Sequence, residues 1–156
     1  MLVWLETTSL ASAMREWLWL YPIVEILHII GLAVLVGAVV LFDLRLLGVS
    51  RILPVTALAA HVLPWARASL LFIVPSGLMM FTAHATEFAT NPAFQLKLAL
   101  LAAASANAIA FHLRTFRTVA AWDRGAPAPP AAKVAAILSL LLWSGVIICG
   151  RLLAYL

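Results

Sequence analysis

Ile23 to Phe42 is an unbroken apolar run in which only Glu25 and His28 can ionise. About 20 such residues, rising 1.5 Å each, cross the roughly 30 Å hydrocarbon core of a bilayer. Three more runs follow: about Ala68 to Ala83 with Pro75 in its middle, about Phe94 to Phe111 interrupted by Lys97 and Asn107, and about Val134 to Gly150. The whole chain is 156 residues, 65% hydrophobic and 10% charged, with a mean hydropathy of +1.10. Soluble domains carry about 25% charged residues, so an ordinary soluble enzyme, a disordered tail and a secreted disulfide scaffold are excluded. One cysteine, Cys149, allows neither an intrachain disulfide nor a cysteine metal cluster. The fold expected is an all-α integral membrane four-helix bundle, one transmembrane domain over residues 1–156.

Residues 3–20 read differently. Glu6, Ser9, Arg15 and Glu16 alternate with apolar positions, and tryptophans gather at the end. That pattern predicts an amphipathic helix lying in the interface, with Pro22 marking the turn into the membrane. Met1 to Leu5 lacks a basic n-region, so no cleavable signal is expected. GAPAPPAA (125–132) reads as a stiff linker.

Charge is distributed unequally between the connections. Arg45, Arg51, Arg67, Arg114, Arg117, Arg124 and Lys133, with Asp43 and Asp123, flank the first and third. The opposite side holds Arg15, Lys97 and Arg151 against Glu6, Glu16, Glu25 and Glu87. The positive-inside rule orients the basic set to the cytoplasm. A multi-pass protein of a bacterial inner membrane with both termini periplasmic is the expectation. The basic residues therefore read as topology signals, not as a nucleic-acid surface.

Small residues in LAAASANAIA permit close backbone approach, which predicts that the third span lies at the bundle centre. Asn107 in that run needs a hydrogen-bond partner. Gly145 and Cys149 form a small face suited to another helix. Pro75-Ser76-Gly77 predicts a kink with room beside it. Trp4, Trp17, Trp19, Trp65 and Trp122 suit the interfaces.

Ionisable groups inside a membrane are costly and usually functional. Depth follows from the cytoplasmic flanks at 1.5 Å per residue. His28 lies 15 residues from Asp43, about 22 Å; His84 lies 17 residues beyond Arg67 and Lys97 lies 17 before Arg114, about 25 Å each. The three are thus expected at one level near the outer face. Glu25 is one helical step from His28, and Glu87 from His84. Two histidines on neighbouring helices suit haem b ligated from both faces, with His28 and His84 axial and Lys97 and Glu25 beside them. The same histidines with a glutamate suit copper or zinc. A third reading has these groups simply meeting water at the interface of a cofactor-free accessory subunit. His61 and His112 form a second, inner pair, of which His112 is the better cofactor candidate. No motif marks catalysis by the chain itself. Substrate chemistry would belong to other membrane or periplasmic redox subunits, or the chain would form a homo-oligomer in the bilayer.

VEILHIIGLAVLVGAVVLFDLRLLG, LPWARASLLFIVPSGLMMF and NPAFQLKLALLAAASANAIAFH resemble the first three spans of a group of uncharacterised four-helix bacterial membrane proteins. More distantly, the layout is similar to the copper-resistance D type and the membrane-bound protoporphyrinogen oxidase type. The latter has a histidine in an LHII-like run and a lysine in a KLAL-like run. The resemblance implies a haem-associated His28 and an essential Lys97. The long FDLRLLG exit and the N-terminal helix depart from the oxidase pattern.

Overall fold

A computed structural model of the protein describes residues 2–153 and Tyr155. It is all-helical among these residues. Two short helices, α1 (Val3–Glu6) and α2 (Ser9–Glu16), precede the first long one, α3 (Leu20–Leu47). The remaining helices are α4 (Val55–Ala83), α5 (Ala85–Thr90), α6 (Pro92–Ala110) and α7 (Pro130–Leu152). α6 runs on through a π-helical turn, Phe111–Thr115, and a 3-10 turn, Phe116–Ala121. α3, α4, α6 with its continuation, and α7 are each long and apolar enough to cross a membrane. No more than 22% of the most apolar window of any of them is buried within the protein. Such apolar exteriors belong in lipid, and the chain is a multi-pass membrane protein of the four-helix-bundle class.

The helices outrun the apolar patterns that announced them, because backbone hydrogen bonding continues through polar end turns. α4 starts at Val55, well before residue 68. Its Pro64 and Pro75 are both accommodated inside the helix. α3 starts at Leu20, so Pro22 occupies its first turn, where a missing N–H costs nothing. α7 starts at Pro130, the favoured first helical position, which shortens the expected 125–132 linker. The expected interfacial helix over 3–20 is two helices. They break at Thr7-Thr8, where the Thr8 hydroxyl caps α2 by accepting from the Ala11 amide at 3.3 Å.

Residue pairings fix the arrangement. Val24 packs with Ala83, and His28 meets Ile73 and Ser76, so α3 and α4 are antiparallel. A β-carbon at Gly145 would sit 2.9 Å from Leu100 and one at Gly150 3.6 Å from Lys97. α6 and α7 are therefore antiparallel and close, and the small face at Gly145 does receive another helix. α3 packs on both α4 and α7, and α7 on α6. The inner helices are thus α3 and α7, and the third span lies at the edge. Only Ala93 and Ala104 of α6 are buried. Small side chains let α6 approach α7 closely, but they offer too little surface to gather further neighbours. α4 and α6 approach little through their backbones and meet through the stacked rings of Phe81 and Phe94, 5.4 Å between centroids.

Buried Leu35, Phe42, Leu46, Val55 and Trp122 build the core of the basic end. Phe42 stacks edge-on to Phe111 at 5.8 Å between centroids. Trp122 is buried rather than interfacial, and its indole N–H donates to Thr118 Oγ1 at 3.1 Å. Arg45 is also buried and donates to the carbonyls of Leu53 (2.6 Å), Arg51 (3.2 Å) and Asp123 (3.2 Å). The Asp123 carboxylate in turn accepts from the Thr56 amide at 2.8 Å and hydroxyl at 2.9 Å, capping α4 from a distant loop. Those bonds, the backbone one first, hold its pKa below the usual 3.8.

Candidate functional site

Three polar clusters occupy three levels of the bundle. The outermost joins the N-terminal helices to the end of α4. Glu6 accepts from the Thr86 amide at 2.7 Å and hydroxyl at 2.6 Å. Arg15 donates to the carbonyls of Ala83 (3.1 Å) and Glu6 (2.8 Å). The Thr86 hydroxyl, then its amide, hold the Glu6 carboxyl below its usual 4.5. His84 terminates α4 here, exposed, 3.6 Å from Glu87, a charge pair only when the imidazole is protonated. Its ring meets the Tyr21 ring edge-on at 6.5 Å.

The second cluster surrounds His28. Tyr21 precedes His28 by two helical turns, so His84 stands about 10 Å further out along the bundle. The expected single level is not formed, because His28 is opposite Ile73–Gly77 and not opposite the end of α4. The imidazole Nδ1–H is shared between the Ile73 carbonyl at 3.1 Å and Ser76 Oγ at 2.9 Å. A carbonyl can only accept, so the tautomer is set and Nε2 is left as an acceptor. Nε2 has no hydrogen-bond partner among the described residues. Gly77 makes the approach possible, since a β-carbon there would sit 3.1 Å from His28 Cε1. The Pro75-Ser76-Gly77 segment, still helical, thus receives the histidine of the neighbouring helix. Lys97 is half-buried against Gly150. Glu25 is exposed and hydrogen-bonds no described residue. Among the described residues no three His, Cys, Asp or Glu side chains gather to hold a metal ion. The copper or zinc set of two histidines with a glutamate is therefore not assembled.

The third cluster lines a cavity of about 270 Å³ at the basic end, between α3, α4, α6 and α7. Asp43, Asn107, Ser139 and His112 line it among apolar walls. Asp43 is only 5% exposed, and its Oδ2 has no hydrogen-bond partner among the described residues. The Ser139 hydroxyl, from α7, is placed to donate to its carboxyl group. Asn107 donates to the Ala135 carbonyl at 2.9 Å, the partner its position demanded. His112 is on the π-helical turn and donates from Nδ1 to the Ala108 carbonyl at 2.8 Å. His61 is exposed on α4 and does not line this cavity, so the inner histidine pair is not formed. Asp43, Glu6 and Arg15 were not expected in functional clusters. The one available signal was that each is charged inside or beside an apolar helix.

Fold and clusters define a multi-pass helical membrane protein with polar groups held at successive depths between its helices. The chain matches a family of unknown function (DUF6644) over residues 1–156 and belongs to it. No curated protein and no solved structure matches it.

Proposed function

We propose that this protein binds haem b and passes electrons as a subunit of a larger membrane redox complex, with His28 supplying an axial nitrogen. The observation that carries the reading is the hydrogen bonding of His28. Axial and metal-ligating histidines need their second ring nitrogen tied to a carbonyl or similar acceptor, which orients the ring and fixes the tautomer. Ile73 and Ser76 do this for His28 and leave Nε2 unpartnered within a membrane span. Lys97, half-buried on the neighbouring α6, would supply a positive charge suited to a propionate. The similarity of the LHII and KLAL runs to the protoporphyrinogen oxidase type bears on the same two residues. Haem b would supply one-electron iron chemistry; the chain's own residues orient the ligand and balance charge. His84 is not a second ligand to that iron, being about 10 Å further out. Its place is with Glu87 and the N-terminal helices. The basic set at the other end of the bundle supports an inner-membrane location with periplasmic termini, which would put His28 in the periplasmic half.

Reduced-minus-oxidised spectra and pyridine haemochrome assays test this on purified wild type, His28→Ala and His84→Ala. Haem is expected in the wild type, lost in His28→Ala and retained in His84→Ala. Equal haem content in wild type and His28→Ala rejects the ligand; no haem in wild type rejects the reading.

A further inference from the structure

Helices α4 and α6 touch at the outer end of the bundle and part toward the basic end. They run antiparallel from the stacked pair Phe81 and Phe94. Eleven residues inward from that pair stand Leu70 and Ser105, fourteen inward Arg67 and Ala108, and eighteen inward Leu63 and His112. All of these except Arg67 line the cavity of about 270 Å³. Leu70, Ser105, Ala108 and His112 are exposed as well, so the cavity opens sideways between the two helices as a groove in the lipid-facing surface. Most of its wall is aliphatic or aromatic. The space falls just below the roughly 300–1,000 Å³ of sites for drug-sized ligands. It suits a slender apolar chain and is too small for a macrocycle such as haem, so His112 is not a haem ligand here.

Arg67 stands at the edge of this groove. It follows Leu63 by four residues and precedes Leu70 by three, so the three share one face of α4. Its Nε–H donates to the Leu63 carbonyl at 3.4 Å. That bond turns the side chain back toward the basic end and leaves the terminal guanidinium nitrogens without a hydrogen-bond partner among the described residues. Long cationic side chains near the end of a span take this course to bring their charge to the headgroup level. Across the groove, α6 continues into the exposed Arg114 and Arg117. None of these three arginines forms an ion pair among the described residues. The two aspartates at this end are engaged elsewhere: Asp43 is buried, and Asp123 caps α4. Uncompensated guanidiniums at the mouth of an apolar groove match an amphiphile with a phosphate at one end and hydrocarbon at the other.

We propose that this groove binds one anionic phospholipid from the leaflet at the basic end, with an acyl chain between α4 and α6 and its phosphate on Arg67. Arg114 and Arg117 add to the field that holds the headgroup. The direction of the groove fits such a lipid. Headgroups of that leaflet lie toward the basic end, so the chain enters between Leu63 and His112 and runs outward past Ala108 to Leu70 and Ser105. An anionic headgroup is selected over a zwitterionic one, because a choline cation would be set against the same guanidiniums. The assignment does not depend on haem at His28.

The test uses the full-length protein in detergent, with dioleoylphosphatidylglycerol and dioleoylphosphatidylcholine as probes and native mass spectrometry as the readout. One phosphatidylglycerol is expected to stay bound, about tenfold or more tighter than phosphatidylcholine. Arg67→Gln should weaken phosphatidylglycerol about fivefold, the share of one cation at an anionic headgroup, and leave phosphatidylcholine little changed. Arg151→Gln, at an exposed cation of the opposite end, should change neither lipid and controls for net charge. Ala108→Phe, at an exposed lining position opposite Arg67, should fill the groove and weaken both lipids together without disturbing the core. Equal retention of the two lipids by the wild type would overturn the assignment. So would equal losses in Arg67→Gln and Arg151→Gln, which would mean attraction by net charge only. Full retention of phosphatidylglycerol in Ala108→Phe would also overturn it, since no chain would then lie in the groove.

Discussion

Replacing Asp43 by leucine removes a carboxyl group that the bundle buries without completing its hydrogen bonds. Its Oδ2 is unpartnered and the residue is 5% exposed. A buried polar atom left unsatisfied costs about 1–3 kcal/mol, a cost that an apolar side chain at the same position does not carry. Leucine is close in shape and would add aliphatic contact with Leu46 and Leu63, which line the same cavity. Asp43→Leu should therefore raise stability by about 1–3 kcal/mol. For a chain of this length that is a rise in midpoint of about 2–12 °C, at 2–4 °C per kcal/mol. Cys149 provides the assay. It is the chain's single cysteine and is 4% exposed, so a thiol-reactive fluorogenic maleimide reports unfolding in detergent without further labelling. A midpoint that stays constant or falls would refute the reasoning. It would mean that Oδ2 is satisfied in solution.

Two further predictions concern the ends of the bundle. Glu6 has its pKa lowered from 4.5 by Thr86, so its contribution to docking α1 and α2 is complete above pH 4.5 and is lost as pH falls through the lower folded value. A spin label on Val3→Cys in a Cys149→Ser background should stay immobile at pH 5–8 and loosen below pH 4.5; loosening that begins above pH 5 would implicate another group. Gly48 ends α3 with φ of 108°, and Gly48→Ala should cost about 1–2 kcal/mol for a left-handed L-residue. The same maleimide assay should record a lower midpoint, and an unchanged one would show that the turn relaxes to negative φ.

The fold was legible because hydrophobic length is a blunt and strong signal. Four apolar runs separated by charged connections leave few architectures open in a bilayer, since every backbone group must bond within its own helix. Boundaries were less legible. α4 begins thirteen residues before the apolar run suggested, because residues 55–67, with Thr56, His61 and Arg67, are helical without being uniformly apolar. The centre of the bundle was also misread. Alanine-rich α6 signals close approach to one partner, and Gly145 and Gly150 of α7 are that partner. Being central requires apolar contact on several faces, which α3 and α7 provide.

The clusters were harder to read, because they depend on register between helices and not on spacing within one. His28 and His84 are comparable in distance from their own flanking charges, yet they stand two turns apart. His28 finds its level from Ile73 and Ser76, a pairing no single run displays. Asp43 was hidden by its neighbour. Asp43 and Arg45 together look like a solvated anchor closing a span, but residues two apart point about 200° from one another around a helix. Arg45 turns to the loops and binds three carbonyls. Asp43 turns inward toward Ser139 and the cavity. Along α3 the apolar residues leave no polar face to reveal which way either points. A charge pair at the end of a span thus separates into a structural cation, fully bonded, and a carboxylate with an oxygen to spare. That difference follows from the directions the two side chains take from one helix.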